Sequence, residues 1–171
     1  RRCISYMSYF GKEITPRELR EQMGMYVYGC DLCQNVCPRN RPWLSQELPP
    51  NRRVEARAGS FDLRELLRMD RDYFTSRVWP HMFYMSPDDI WKWKMNVARV
   101  MGNSLDESYV PDLERAFSGN EDERVRGMVA WALGRIGGGR AMEALRSYHG
   151  TSRGAVREEI EAALEAVAGM R

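Results

Sequence analysis

Arg126-Gly127-Met128-Val129-Ala130-Trp131-Ala132-Leu133-Gly134 sets the architecture, because the chain carries it, in altered form, three times. Lys94-Met95-Asn96-Val97-Ala98-Arg99-Val100-Met101-Gly102 aligns with it at an offset of 32, and Arg157-Glu158-Glu159-Ile160-Glu161-Ala162-Ala163-Leu164 follows at an offset of 31. Between these copies, Tyr109-Val110-Pro111-Asp112-Leu113 and Ala141-Met142-Glu143-Ala144-Leu145 align with each other at 32. Similarity at such a period predicts units of two helices joined by a Gly-containing turn. A single hairpin cannot bury its own apolar stripe, so neighbours must stack. The stripes are legible: Val125, Val129, Ala132, Leu133 and Ile136 share one helical face, and Val156, Ile160, Ala163, Leu164 and Val167 share another.

This pattern resembles HEAT-like repeats, in particular a short bacterial kind whose helix ends in Ala-Leu-Gly, as Ala132-Leu133-Gly134 does. The alternative is an ordinary helical bundle. Each copy also opens with a basic residue, at Lys94, Arg126 and Arg157. Stacking would align them in a row able to meet RNA phosphates, or, more blandly, to pair with acids of adjacent repeats.

Upstream the composition changes. All four cysteines and the prolines Pro16, Pro38, Pro42, Pro49 and Pro50 precede residue 60, where ten basic side chains face six acidic ones. The remainder holds 16 basic and 18 acidic side chains. Pro49-Pro50-Asn51-Arg52-Arg53 reads as a connector, so two domains are expected, a partial ferredoxin-like iron–sulfur module at 1–59 and the helical repeats at 60–171. Ser60 is the expected N-cap of a helix through Phe61, Leu63, Leu66, Leu67 and Met69. A second helix is expected from Arg71 to Trp79, ended by Pro80. The fold class is therefore mostly α.

The 171 residues, 43% hydrophobic with a net charge of +2, suit one ordinary domain or two small ones. No stretch approaches the ~20 apolar residues of a membrane span, and the balanced charge excludes a polybasic arm or an acidic tail. The opening Arg1-Arg2-Cys3 shows neither an initiator Met nor a signal segment, which suggests a piece of a larger protein.

The chemistry lies in Cys30-Asp31-Leu32-Cys33-Gln34-Asn35-Val36-Cys37-Pro38, with Cys3 upstream. Its C-x2-C-x3-C-P form matches the last three cysteines of the bacterial iron–sulfur run C-x2-C-x2-C-x3-C-P, whose final cysteine serves the other cluster of a pair. Cys3 is then the first cysteine, displaced by an insertion. This implies that Cys3, Cys30 and Cys33 hold three irons of one 4Fe–4S cluster while Cys37 reaches a second, the other ligands lying upstream. A four-cysteine zinc site and disulfides are the competing readings.

Arg2-Cys3-Ile4-Ser5-Tyr6, Ile14-Thr15-Pro16-Arg17-Glu18-Leu19-Arg20, Met23-Gly24 and Tyr28 through Asn40 together resemble the second cluster segment of the epoxyqueuosine reductase family. The resemblance implies a cytoplasmic oxidoreductase in which a cobalamin-binding N-terminal domain precedes a double-cluster module and HEAT-like repeats. Such an enzyme reduces epoxyqueuosine to queuosine at the wobble position of tRNA, with electrons passing from a donor through two 4Fe–4S clusters to cobalamin. It also implies Ser5, Cys30 and Asp31 as cobalamin contacts, the tRNA anticodon stem-loop as partner, and a general acid outside this chain. No catalytic residue is therefore named here, and these residues alone are expected to be inactive. Many family members carry Cys-Pro-Trp-Asn where this chain has Cys37-Pro38-Arg39-Asn40. The aromatics Trp79, Phe83, Tyr84, Trp91 and Trp93 also depart from the family pattern; they could stack on an unpaired base or fill the junction between module and repeats. Two other functions stay open: a cobalamin-linked reductase of a small molecule, and a non-enzymatic electron-transfer or scaffold protein.

Overall fold

A computed structural model describes residues 3–168; Arg2, at the head of the resembling segment, lies outside them. Among the described residues the chain is helical and contains no strand. The helices run α1 (Ile4–Phe10), α2 (Arg17–Arg20), α3 (Leu32–Asn35), α4 (Arg41–Leu44), α5 (Arg52–Glu55), α6 (Leu63–Arg68), α7 (Arg71–Tyr73), α8 (Ile90–Ser104), α9 (Val110–Ser118), α10 (Glu123–Ile136), α11 (Gly138–Thr151) and α12 (Gly154–Ala168). A segment of short helices and turns followed by stacked helical repeats is the resulting architecture.

The repeats form two layers. Helices α8, α10 and α12 pack side by side, and α6, α9 and α11 cover one side of them. Val125, Val129, Ala132 and Leu133 of α10 are fully buried, as is Ile160 of α12, so the apolar stripes meet as the 3.6-residue period requires. Two glycines explain how closely the inner helices approach. A Cβ on Gly102 would lie 2.9 Å from the Cα of Ala132, and one on Gly134 would lie 2.7 Å from the Cβ of Ala163. These glycines occupy equivalent repeat positions, and in each copy the missing side chain is the space taken by the next helix. The third equivalent, Glu165, is exposed, and no further helix covers it among the described residues.

The helix expected to begin at Ser60 begins instead at Leu63. Its N-cap is Asp62, whose carboxylate accepts from the Arg64 and Glu65 N–H groups at 2.9 and 3.2 Å. Ser60 sits in a preceding 3-10 turn, Ala58–Phe61, where its carbonyl accepts from the Tyr73 hydroxyl at 3.1 Å. The helix expected from Arg71 is present, capped by Asp70, but widens into a π turn over Phe74–Val78, with the Trp79 N–H reaching the Phe74 carbonyl at 2.8 Å. The hydroxyls of Thr75 and Ser76 donate to the Arg71 and Asp72 carbonyls at 2.5 and 2.7 Å, drawing those acceptors away from the α pattern.

Residues 4–28 lie on the free side of α8, α10 and α12, so the inner helices are covered on both sides there. Beyond them, every residue from 38 to 59 except Asn40 is exposed.

Candidate iron–sulfur site and its docking face

Gly29 (φ +71°) adopts the left-handed backbone that turns the chain into Cys30, a conformation open to glycine at little cost. Asp31 heads α3, and its carbonyl accepts the N–H groups of Gln34 and Asn35 at 2.9 and 2.8 Å. Cys33 therefore lies on the short helix, and Cys37 follows it, with its N–H bonded to the Gln34 carbonyl at 3.2 Å. Asn40 closes the turn by donating to the Gln34 side chain at 2.8 Å. All four cysteines are unpaired; Cys3 and Cys33 are exposed, Cys30 and Cys37 half-buried. Among the described residues no three His, Cys, Asp or Glu side chains gather as a single-ion site. A 4Fe–4S cluster takes one thiolate per iron, so its ligands need not converge on a point, and sites of this kind commonly close only when the metal binds. Four soft, accessible thiols with three on one turn suit that group. Ser5 is half-buried on the first turn of α1 and Asp31 is exposed.

The segment bearing these cysteines is held to the repeats by polar groups. Arg20, 1% exposed, makes a bidentate pair with Glu159 of α12 at 2.7 and 2.9 Å and donates to the Thr15 carbonyl at 2.6 Å. Arg17 adds a third bond to Glu159 at 3.1 Å. Burial alone would raise the Glu159 pKa, but the hydrogen bonds and charges of Arg20 and Arg17 outweigh it and hold the carboxylate below its ordinary range. On α8, Asn96 donates to the Ser8 carbonyl at 3.0 Å, Arg99 to the Gly24 carbonyl at 2.8 Å and to that of Tyr26, and Asn103 to those of Arg20 and Gly24 at 2.9 Å. Arg124 of α10 reaches the Lys12 carbonyl at 3.0 Å, and Arg135 pairs with Glu21 at 2.5 Å. Sequence reasoning missed this face. Its one legible signal was the spacing of Asn96, Arg99 and Asn103, which puts three polar residues on one side of a helix whose residues 95–102 are otherwise apolar.

The three basic positions stand elsewhere. Arg126 lies over the Phe117 ring of α9 at 4.6 Å, on the side of α10 turned from residues 4–28. Lys94 lines a cavity of about 300 Å³ with Arg64, Arg68, Asp112 and Arg115, and burial lowers its pKa against the opposing charge of Asp70. Arg157 is exposed and pairs with Glu161 at 2.9 Å.

The aromatics differ in how far they are buried. Trp93 is buried and stacks on Tyr28 at 5.4 Å between centroids, Tyr9 donates to the Tyr84 carbonyl at 3.1 Å, and Arg124 covers Trp91 at 3.4 Å. These fill the junction of module and repeats, while Trp79, Phe83 and Tyr84 keep exposed surface.

Comparisons with known proteins agree with both parts. Residues 1–40 match the family model described as a 4Fe-4S double cluster binding domain, and residues 85–165 match HEAT repeats. An epoxyqueuosine reductase of Pseudomonas aeruginosa is 35% identical over 142 residues, 80% of this chain and 37% of that protein. One of Bacillus cereus is 28% identical over 149 residues, again 37% of its length. Among solved structures, an epoxyqueuosine reductase with an epoxyqueuosine-modified tRNA-Tyr stem loop superposes with a TM-score of 0.77 at 26% identity, covering 97% of this chain and 44% of that one. The chain thus spans about two fifths of the length of the proteins it matches. Among the described residues no helix is long and apolar enough to cross a membrane. Over most of its length in sequence, and over nearly all of it in fold, the chain is similar to the epoxyqueuosine reductases.

Proposed function

We propose that the chain serves as the cluster-binding and repeat portion of an epoxyqueuosine reductase, an oxidoreductase acting on tRNA in the cytoplasm. The observation that carries this is the likeness, across 97% of the chain, to the reductase bound to a modified tRNA stem loop. In this reading the domains are 1–59 and 60–171, Cys3, Cys30 and Cys33 ligate one 4Fe–4S cluster, and Cys37 ligates a second. Ser5 and the Cys30-Asp31 pair contact cobalamin, their accessible polar groups suiting the hydrogen-bonding periphery of a corrin. When bound, the clusters supply single-electron transfer and cobalamin supplies the reactive metal. This chain's residues do the holding. Gly29 sets the direction of the Cys30 turn, α3 spaces Cys33 and Cys37, and the α8 and α12 side chains fix the segment ahead of Cys30. Contact of Lys94, Arg126 and Arg157 with tRNA phosphates is part of the proposal, supported by their recurrence at one position of the repeat.

The test is conversion of epoxyqueuosine tRNA to queuosine tRNA by the full-length protein with clusters, cobalamin and a reductant, read by nucleoside mass spectrometry. Turnover is expected, and its absence in fully metallated protein refutes the reading. Charge reversal at Lys94, Arg126 and Arg157 is expected to weaken tRNA binding and flatten its salt dependence.

A further inference from the structure

Arginines on the docking face come with acids, except one. Arg20 is paired with Glu159, Arg124 with Asp122 and Arg135 with Glu21. Arg99 is 0% exposed and, among the described residues, no carboxylate pairs with it. Its two Nη atoms donate to the Gly24 and Tyr26 carbonyls, while its Nε, also buried, has no acceptor among the described residues. Burial pushes its pKa down to about 10, which still leaves it a cation at neutral pH. A buried charge held only by carbonyl dipoles is costly, and such charges are ordinarily paired. The backbone it grips lies four and six residues ahead of Cys30, with Gly24 and Gly29 both in left-handed backbone on the way. Among the described residues Arg99 has no anion, yet it anchors the approach to a thiolate turn that suits one.

We propose that Arg99 is the counter-charge of the iron–sulfur cluster bound at the Cys30–Cys33 turn and a positioning residue for that turn, an inference that rests on the cluster-binding reading of residues 1–40. Four thiolates outweigh the positive charge of a 4Fe–4S core, so the cluster is an anion that becomes more negative by one charge on accepting an electron. A nearby buried cation stabilises the reduced form more than the oxidised form and raises the potential. Arg99 thereby makes the repeat domain part of the redox tuning as well as a scaffold.

The experiment is an anaerobic redox titration of the full-length reconstituted protein, followed by electron paramagnetic resonance, for wild type, Arg99→Gln, Arg99→Lys and Glu159→Gln. In Arg99→Gln one cluster is expected to shift to a more negative potential while the other stays. Arg99→Lys, which keeps the charge, should stay near wild type. So should Glu159→Gln, which disturbs the same face but leaves Arg99 intact. Equal potentials in wild type and Arg99→Gln, or the same shift in Glu159→Gln, overturn the proposal. If Arg99→Gln holds too little cluster to titrate, iron release to a chelator decides: retention by Arg99→Lys supports the charge role, and equal loss from both overturns it. Wild-type protein without iron and sulfide overturns the cluster reading itself, and this inference with it.

Discussion

The Arg20–Glu159 pair shows what a single residue does here. It joins positions 139 apart in sequence, and both side chains are nearly out of water. Removing one member leaves the other charge buried and unpaired, at a cost of about 3–5 kcal/mol. Glu159→Gln is therefore expected to lower the denaturant midpoint markedly, whereas Glu161→Gln, on the exposed turn beside it, should change it little. The pair also sets an acid dependence. Because the folded Glu159 pKa is depressed, its contribution is complete above the unfolded value of about 4.3 and is lost as pH falls from there through the folded pKa. Denaturation midpoints measured from pH 6 to pH 3 should fall more steeply below about pH 4.3 in wild type than in Glu159→Gln. Capping offers a second check at this scale. Asp62→Ala should cost about 0.5–2 kcal/mol and Ser60→Ala close to nothing, measured by urea denaturation, since only Asp62 holds the free N–H groups of α6.

At the scale of elements, the repeating glycines separate two effects that composition alone confuses. Gly134 faces the backbone of Ala163, which has no flexible end to move aside. Gly134→Ala should destabilise by roughly 1–3 kcal/mol, about 2–4 °C in melting temperature for each kcal/mol, and Gly102→Ala should behave alike. Gly139 has nothing within 4 Å of its added Cβ, so Gly139→Ala should instead stabilise by about 0.5 kcal/mol. Opposite signs from one chemical change would show that close helix approach, and not helix propensity, keeps the repeat glycines. The repeat itself was readable because stacking imposes a period on the sequence, and Ala132-Leu133-Gly134 is that period's contact point. The cap at Asp62 was not readable, because Ser60 and Asp62 are both good caps and only the inward turn of Phe61 toward Trp93 and His81 separates them. Nor was the π turn after Tyr73, which depends on where two hydroxyls point.

For the molecule as a whole, the cysteine spacing was legible because cluster ligation acts through neighbours along the chain. The seating of residues 4–28 on α8, α10 and α12 was hidden, because it runs partly through backbone carbonyls, which carry no side-chain signature, and partly through pairs such as Arg20–Glu159 that lie far apart in sequence. This seating divides the chain unevenly. Residues 4–28 are fastened by buried bonds, while Leu44, Leu48, Val54 and Trp43 stand exposed on short turns that touch little else. Stability should follow that division, since segments with few buried contacts open first. In brief trypsin digestion of the metal-free chain, the earliest cuts are expected after Arg39, Arg52, Arg53 or Arg57, all exposed, and the helical circular dichroism of the repeats should survive them. Arg99 and Arg20 should resist until global unfolding, because cleavage there requires separating the module from the repeats. Early cleavage at Arg20 would show that metal loss releases residues 4–28 as well, and the repeats would then depend on the clusters for the cover on their inner face.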